Sequence, residues 1–454
     1  MKARRVEQYL TRYGVQQVRP VVAGSREGIE QAVVIPAIAE RSSLFRTLAS
    51  LAENPADDLR RTLVICVVNN HRPPLAAAEE IADNRDTLAI LAAIVSGNYP
   101  PRASWADIRS DLQTILHSEL RTAFIDASSP GREIPDQDGG VGTARKIGMD
   151  AALGILGRGG DPAAPVCCLD SDTLVENTYL PAVRAHFAAT GNPAAVIAYA
   201  HQIPADPALR AAICCYELFL RSYVIGLSFA RSPYAFHAIG STMACSTEGY
   251  VGVRGMNRRG AAEDFHFLNK IAKTGTIGQI SATTVMPSAR ISHRVPFGTG
   301  QRMTRFISGG NDEYRVYAPP IFVILREWIS ALSADPDRDG ESALAEAESI
   351  HRRLGEYLRL CRFTDDWRRI RNNCRDPRQL RRQFHLWFDG LRTLRLVHHL
   401  SRHEFPPVPM FAGLAQLFGL FGLAVPPGKN FDGVPDTDDQ YEILSLVRSA
   451  FPES

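Results

Sequence analysis

The sequence has few lysines, no large excess of charge of either sign, and no ordered pattern of cysteines. Lysine accounts for only five of the 51 basic residues, and the formal net charge is +2. Such a small net charge gives no reason to expect nucleic-acid binding. The eight cysteines are scattered, and no spacing between them matches a disulfide framework or a zinc site. We therefore expect a globular protein of the reducing cytoplasm.

Neither the N-terminal segment nor the apolar segment near the C-terminus predicts a membrane span. The segment from Met1 to Pro20 is charged and lacks the apolar centre of a secretory signal. Met410–Val425 is apolar but 16 residues long, which is short of the roughly 20 residues that span a bilayer. This second segment predicts a buried helix, with shallow insertion into a membrane as the alternative.

Short apolar strands alternate with helices over the first half of the chain. The nearly continuous apolar runs are 32–35, 63–68, 122–125 and 166–169. Buried strands that alternate with helices predict an α/β fold whose mostly parallel, Rossmann-like sheet is flanked by helices. From about residue 319 the pattern is helical. With 454 residues the chain has room for several domains, and we predict an N-terminal extension (1–30), an α/β domain (31–315) and a C-terminal α-helical region (316–454).

Polar or turn-forming residues stand where these strands end. Pro36, Asn69, Asp126 and Asp170 all occupy such positions. Ligands of parallel α/β sheets bind beside the carboxyl ends of the strands. One crevice is therefore expected to collect these four residues.

The triplet Asp170-Ser171-Asp172 directly follows the apolar run 166–169. Side chains alternate along an extended backbone, so the two carboxylates two residues apart point to the same side. Two carboxylates at an open sheet edge suit a hard divalent cation that keeps several waters and also binds substrate phosphates. The alternative is an acidic turn that caps the following helix.

Six short motifs occur in order between residues 31 and 306. They are Val33-Val34-Ile35-Pro36-Ala37-Ile38-Ala39-Glu40, Val67-Val68-Asn69-Asn70, Gly142-Thr143-Ala144-Arg145-Lys146-Ile147-Gly148, Leu169-Asp170-Ser171-Asp172, Ala262-Glu263-Asp264 and Gln301-Arg302-Met303-Thr304-Arg305-Phe306. Asp264 follows Asp172 by 92 residues, and Gln301 follows Asp264 by 37. In this order and spacing the motifs resemble those of glycosyltransferase family 2, whose members have the GT-A fold.

The resemblance implies a metal-dependent, inverting, hexosyltransferase-like enzyme. Such an enzyme moves a sugar from a UDP- or GDP-linked donor to an acceptor hydroxyl. Asp170 and Asp172, with a late histidine, His293, would hold Mn²⁺ or Mg²⁺. Asp264 would act as the catalytic base, and Glu263 would orient the acceptor or the helix. From the residues alone, Asp264 also suits a helix cap, and His293 suits a structural role.

The remaining motif positions imply contacts with the two substrates. The residues that would bind the nucleotide sugar are Pro36, Glu40, Asn69, Asp126, Arg145, Lys146 and Ser171. Gln301 and Arg305 would bind the acceptor or the diphosphate, since an arginine offers a planar fork to phosphate oxygens. Phe306 would either stack on a sugar ring or fill the core.

Two departures from the family pattern carry consequences. Asn69 and Asn70 replace an acidic pair. Because an amide both donates and accepts hydrogen bonds, the pair can still bind a nucleotide, but it does not indicate which base the nucleotide carries. This departure favours the alternative of a non-catalytic, sugar-nucleotide-binding or membrane-docking protein that retains the GT-A fold. No membrane-spanning run follows the Gln301 motif, so we do not expect a processive polymer synthase.

The segment 351–403 is strongly basic. It contains 14 arginines against five acidic residues, and aromatic residues are interleaved among them. Amphipathic helices packed on the protein with solvated arginine faces explain this pattern. It also suits a surface that docks on an anionic membrane or holds a phosphorylated acceptor. The family resemblance implies a sugar, a lipid or a small molecule as the acceptor, and the expected location is the cytoplasm or the inner face of a membrane.

Overall fold

The computed structural model describes residues 3–17, 19–70, 76–98, 103–135, 140–258, 262–292, 298–310, 312–374, 376–425, 428–429 and 431–452. The chain forms two compact units. The first comprises Met1–Gln202 and Ala238–Gly298, and the second comprises Ile203–His237 and Thr299–Ser454.

The strands and helices are as follows. The strands are β1 Val21–Ala23, β2 Gln31–Ala37, β3 Thr62–Asn69, β4 Arg121–Ala127, β5 Pro165–Cys168, β6 Leu174–Val175, β7 Ala194–Tyr199, β8 Met243–Ser246, β9 Ile277–Met286, β10 Arg315–Val316 and β11 Val408–Pro409. The helices are α1 Ala3–Tyr13, α2 Arg41–Ala52, α3 Ala56–Arg61, α4 Ala78–Ser96, α5 Arg109–Leu116 after a 3₁₀ turn at Ala103–Ile108, α6 Val141–Gly159, α7 Tyr179–Ala189, α8 Pro207–Phe229, α9 Thr247–Gly252, α10 Glu263–Ala272, α11 Thr299–Ser308, α12 Pro320–Ala334, α13 Gly340–Ile350, α14 Arg352–Leu360, α15 Phe363–Asn373, α16 Pro377–Trp387, α17 Gly390–His403, α18 Met410–Leu420 and α19 Thr437–Ala450.

One mixed sheet organises the first unit. Within the described residues it has nine strands, in the order β1-β4-β3-β2-β5-β8-β7-β9-β6. The neighbours β4, β3, β2 and β5 are parallel, and β7 and β9 run in the same direction as these four. The predicted α/β fold with a mostly parallel sheet flanked by helices is therefore confirmed.

Every residue of β2 and β3 is buried, as expected for strands covered by helices on both faces. Helix α6 lies especially close to these strands because it carries glycine at position 148. A Cβ atom there would lie 2.3 Å from Val34 Cγ1 and 2.9 Å from Val67 Cγ2. A glycine at position 148 therefore allows α6 to pack this close to β2 and β3.

Residues 1–30 belong to the first unit, although the sequence predicts them as an extension. Strand β1 pairs antiparallel with β4. Tyr9 of α1 donates a hydrogen bond of 2.8 Å to the Asp150 carboxylate in α6. Strand β1 has only three residues, which are too few to show an alternating apolar pattern in the sequence.

The second unit is mainly helical, and it begins earlier than residue 316. Residues 203–237, which contain α8, group with it. Leu218 and Ile225 of α8 share one apolar core with Trp328 of α12 and Leu444 of α19. The predicted boundary at 315/316 therefore differs from the division at 298/299, because α8 and α11 pack with the C-terminal helices.

Two helices of this unit are strongly apolar. By length and composition α8 is the one helix in the described ranges that could span a membrane, and 67% of its most apolar window is buried inside the protein. Helix α18 begins at Met410, as predicted for the apolar segment there, and its buried face includes Leu414 and Leu417. After it ends, Phe421 and Leu423 are exposed.

Most of the arginines in the basic segment have acidic partners within the second unit. Arg352 and Arg353 both pair with Glu356 at 2.8 Å, and Arg359 pairs with Glu348. The contact with an anionic membrane stays a prediction.

Candidate active site

The carboxyl ends of β2, β3, β4 and β5 lie side by side and deliver polar residues to one edge of the sheet. Register pairs Pro36 with Val67, and Val68 with Asp126. Asp170 follows the end of β5, which pairs with β2. The strand ends that the sequence predicts to meet therefore lie at one edge of the sheet in the first unit.

Arg145 of α6 joins the two acidic motifs. Its guanidinium donates hydrogen bonds to Asp170 Oδ1 and to Glu263 Oε1. Arg145 and Glu263 are buried, whereas the Asp170 side chain is 37% exposed and can be reached by a ligand. The Asp170–Asp172 triplet and the Glu263–Asp264 doublet therefore meet at one point, although about a hundred positions separate them along the chain.

This contact also defines what Arg145 does. Burial alone would lower its pKa, but the charges of Asp170 and Glu263 outweigh burial and raise it. The family resemblance implied that Arg145 binds the nucleotide sugar. The structure gives its guanidinium two carboxylate partners, so Arg145 acts first on the orientation of Asp170 and Glu263.

Gly240 provides the space for the Arg145 side chain. A Cβ atom at this position would lie 2.1 Å from Arg145 Nη2 and 2.6 Å from Cζ. Because two carboxylates hold the buried guanidinium, it cannot swing aside without breaking an ion pair. We expect Gly240→Ala to lower the free energy of unfolding by about 1–3 kcal/mol, the usual cost of overpacking.

Urea denaturation measures this effect, and Gly159→Ala is the matched control. Gly159 ends α6, the helix that carries Arg145, and a Cβ there would meet no atom within 4 Å. Equal free energies of unfolding for the two variants would show that the Arg145 side chain does not need the space beside Gly240.

Lys146 lies in a different environment from its neighbour Arg145. Its ammonium group donates to Tyr9 Oη at 2.9 Å and pairs with Asp150 at 3.1 Å. Tyr250 also donates to Asp150, at 2.8 Å. Burial lowers the pKa of Lys146. The structure thus places Lys146 in a polar cluster that fastens α1 to α6, rather than beside the carboxylates that Arg145 contacts.

Asp172 has a basic partner that the sequence did not indicate. Arg290 Nε donates to Asp172 Oδ2 at 2.8 Å, and Arg290 Nη2 donates to Glu40 Oε1. Glu40 is buried where α2 begins, while Arg290 follows β9. Burial raises the pKa of Asp172 to about 6, and the charges of Asp170 and Glu40 add to this effect while Arg290 opposes it.

The two aspartates fit a divalent cation of the kind that the family resemblance implies. Arg145 donates to Asp170 Oδ1, and Arg290 donates to Asp172 Oδ2. In the described ranges, Asp170 Oδ2 and Asp172 Oδ1 accept no hydrogen bond and are left for a cation. The same ranges contain no group of three His, Cys, Asp or Glu side chains that could hold a metal. Mg²⁺ commonly binds through one or two carboxylates, several waters and substrate phosphates. This donor set matches that pattern.

Asp264 lies in the first turn of α10, as predicted. Its Oδ1 accepts a hydrogen bond from the backbone N–H of Phe265 at 2.7 Å. Burial and then the neighbouring Glu263 raise its pKa to about 7, and Arg145 opposes them. A carboxylate that titrates near neutral pH is suited to accept a proton from a substrate hydroxyl.

The asparagines at the end of β3 are held by a residue that the sequence analysis missed. Asn84 of α4 donates to the Asn69 carbonyl at 3.0 Å and accepts from the Ala39 N–H at 2.8 Å. It therefore ties the turn after β2 to the end of β3. Asn70 is buried, and its Oδ1 has no hydrogen-bond donor among the described residues.

Asp126 and Ser171 are also placed by backbone contacts. Burial would raise the pKa of Asp126, but hydrogen bonds from the N–H groups of Ser129 and Ser128 outweigh it and lower the pKa. The Ser171 carbonyl accepts a hydrogen bond of 3.0 Å from Thr47 in α2. Their proposed contacts with the nucleotide sugar stay predictions.

The residues predicted to bind the acceptor lie in the second unit. Arg305 pairs with Glu313 at 2.7 Å. Phe306 packs edge-on against Tyr314, with ring centroids 5.4 Å apart, which favours the core-filling interpretation of Phe306. Gln301 lies on α11. His293 falls outside the described residues.

Comparison with known proteins gives similarities only among solved structures. No protein-family model matches the sequence, and no curated protein matches it. The structure of S. aureus TarS 1–349 in complex with UDP-GlcNAc is similar at a TM-score of 0.35 and 13% identity, covering 73% of this chain and 92% of that one. The mannosyltransferase PcManGT from Pyrobaculum calidifontis, in complex with GDP-Man and Mn²⁺, is similar at a TM-score of 0.35 and 15% identity, covering 85% of this chain and 93% of that one.

Proposed function

We propose that this chain is a metal-dependent, inverting glycosyltransferase that uses a nucleoside-diphosphate sugar. One observation carries the proposal: Arg145 contacts both Asp170 and Glu263, so the two-carboxylate motif and the acidic start of α10 lie next to each other. Transfer of a sugar needs both groups, because the diphosphate leaving group gains negative charge while the acceptor hydroxyl loses a proton.

Different residues act on the diphosphate leaving group and on the acceptor hydroxyl. Asp170 and Asp172 hold a Mn²⁺ or Mg²⁺ ion, which supplies positive charge to the departing diphosphate when it is bound. Asp264 accepts the proton of the acceptor hydroxyl. At the same time the hydroxyl oxygen forms a bond to the anomeric carbon, and the bond from that carbon to the phosphate oxygen of the donor breaks. Attack from the face opposite the leaving group inverts the anomeric carbon.

The asparagine pair supports recognition of a nucleotide at the end of β3. A buried amide oxygen without a donor is costly in a folded protein. Asn70 Oδ1 is such an oxygen among the described residues, and the N–H group of a uracil or guanine base would satisfy it. Donor binding is therefore expected to involve Asn70 as well as Asn69.

Isothermal titration calorimetry with UDP and GDP, with and without Mn²⁺, tests the proposed function. We expect one nucleotide to bind in a metal-dependent manner, and a panel of nucleotide sugars to identify a donor that is slowly hydrolysed. Asp172→Asn should abolish the metal dependence, because the neutral amide lacks the negative charge with which a carboxylate holds a divalent cation. Asp57→Asn is the control, since Asp57 is exposed and pairs with Arg60 at the surface.

The same titrations separate the proposal from its alternative. Metal-dependent nucleotide binding without hydrolysis or transfer of any donor sugar would indicate a non-catalytic sugar-nucleotide-binding protein. Full turnover in Asp172→Asn would contradict the assignment of the cation site.

A further inference from the structure

Arg290 lies between two carboxylates that come from distant parts of the chain. It is 118 positions from Asp172 and 250 positions from Glu40. Its Nε contacts Asp172 Oδ2 at 2.8 Å while its Nη2 contacts Glu40 Oε1. One guanidinium therefore connects the segment after β5, the start of α2 and the segment after β9.

Arg290 makes one contact with a deeply buried carboxylate and another with a partly exposed carboxylate. The Glu40 side chain is 4% exposed, so a cation beside it is needed to offset the cost of its burial. The Asp172 side chain is 22% exposed, so a ligand can reach it. Arg290 is thus fixed by Glu40 and can lose its contact with Asp172 at smaller cost.

We propose that Arg290 is a positioning residue that neutralises Asp172 until a nucleoside diphosphate enters, so that the divalent cation and the nucleotide bind cooperatively. The inference rests on the proposed function. With Arg290 in place, the charge that Asp172 offers to a free cation is largely cancelled. A diphosphate supplies additional anionic oxygens, and it also offers the guanidinium fork a new partner.

The proposal predicts a measurable coupling between the two ligands. Cooperative binding is reciprocal: the factor by which the nucleotide tightens cation binding equals the factor by which the cation tightens nucleotide binding. Removal of the guanidinium should strengthen binding of the cation alone and reduce this factor. Couplings of this kind usually amount to about 5- to 150-fold.

The test is a titration of the full-length protein with Mn²⁺, in which the electron paramagnetic resonance signal reports free Mn²⁺. Without nucleotide, we expect Arg290→Gln to bind Mn²⁺ at least about fivefold more tightly than the wild type. Addition of Asp172→Asn to this variant should remove the gain. Arg184→Gln is the control, because Arg184 is 40% exposed, as Arg290 is 39% exposed, and also pairs with a buried carboxylate, Asp58.

The outcomes distinguish this inference from the proposed function. If the wild type binds Mn²⁺ together with UDP or GDP but Arg290→Gln shows no tighter binding of Mn²⁺ alone, only the role of Arg290 is overturned. The same conclusion follows if Arg184→Gln shows an equal gain, since the effect would then reflect net charge. If neither protein binds Mn²⁺ with either nucleotide, both proposals are overturned.

Discussion

Asp264→Asn should lower the rate of sugar transfer by about 10²- to 10⁴-fold, the usual contribution of a general base, and leave donor binding unchanged. The asparagine has the same shape but cannot accept the proton of the acceptor hydroxyl. A helix-capping role makes the opposite prediction, because asparagine caps helices as well as aspartate does. The measurements are single-turnover transfer with the donor found by the nucleotide-sugar panel, and calorimetric binding of that donor.

The pH dependence provides a second readout of the same group. Because Asp264 has a pKa of about 7, its carboxylate form increases as the pH rises from about 6 to 8, and the transfer rate should rise with it. In Asp264→Asn the transfer rate should not rise over this pH range. A wild-type rate that does not change over this range would assign the proton transfer to another residue.

Stability should change with pH in the opposite sense. The pKa of Asp264 is raised in the folded protein from the ordinary value of 3.8, so the folded state holds a proton that the unfolded state releases. The contribution of Asp264 to the free energy of unfolding is therefore complete below pH 3.8 and is lost as the pH rises through about 7. Urea denaturation of the wild type and Asp264→Asn at pH 5 and pH 8 separates this contribution from that of other groups.

The strand ends were predictable from the sequence because they follow simple local rules. Buried parallel strands appear as short apolar runs, and the residue after each run stands at the sheet edge. Asn69, Asp126 and Asp170 were located in this way. The acidic start of α10 was located through the resemblance of Ala262-Glu263-Asp264 to a family motif.

Strands β7 and β8 were not predicted, since their identity depends on distant pairing. Met243–Ser246 is only four residues long and lies antiparallel between β5 and β7. A short apolar run of this kind cannot be assigned to a strand or a helix by periodicity alone. Helix α8 is apolar along much of its length, but its membership in the second unit is a property of tertiary packing.

The residues that organise the site were missed for a related reason. Arg290 and Gly240 stand in irregular segments, and neither belongs to a motif. Their roles depend on contacts with Asp172 and Arg145, which no local pattern encodes. An arginine or a glycine in a loop is common, so only the three-dimensional neighbours distinguish these two from the others.

Arg145→Met should lower the free energy of unfolding by about 3–5 kcal/mol, since removal of one member of a buried ion pair leaves the other charge unsolvated. Glu263 is that other charge, because its side chain is only 4% exposed, whereas Asp170 can regain solvation from its 37% exposed side chain. The added substitution Glu263→Gln should therefore recover part of the loss. Urea denaturation compares both variants with Arg158→Met, an exposed position on the same helix where the change should stay within about 0.5 kcal/mol. A double variant no more stable than Arg145→Met would mean that Arg145 stabilises the fold through its packing and not through the charge of Glu263.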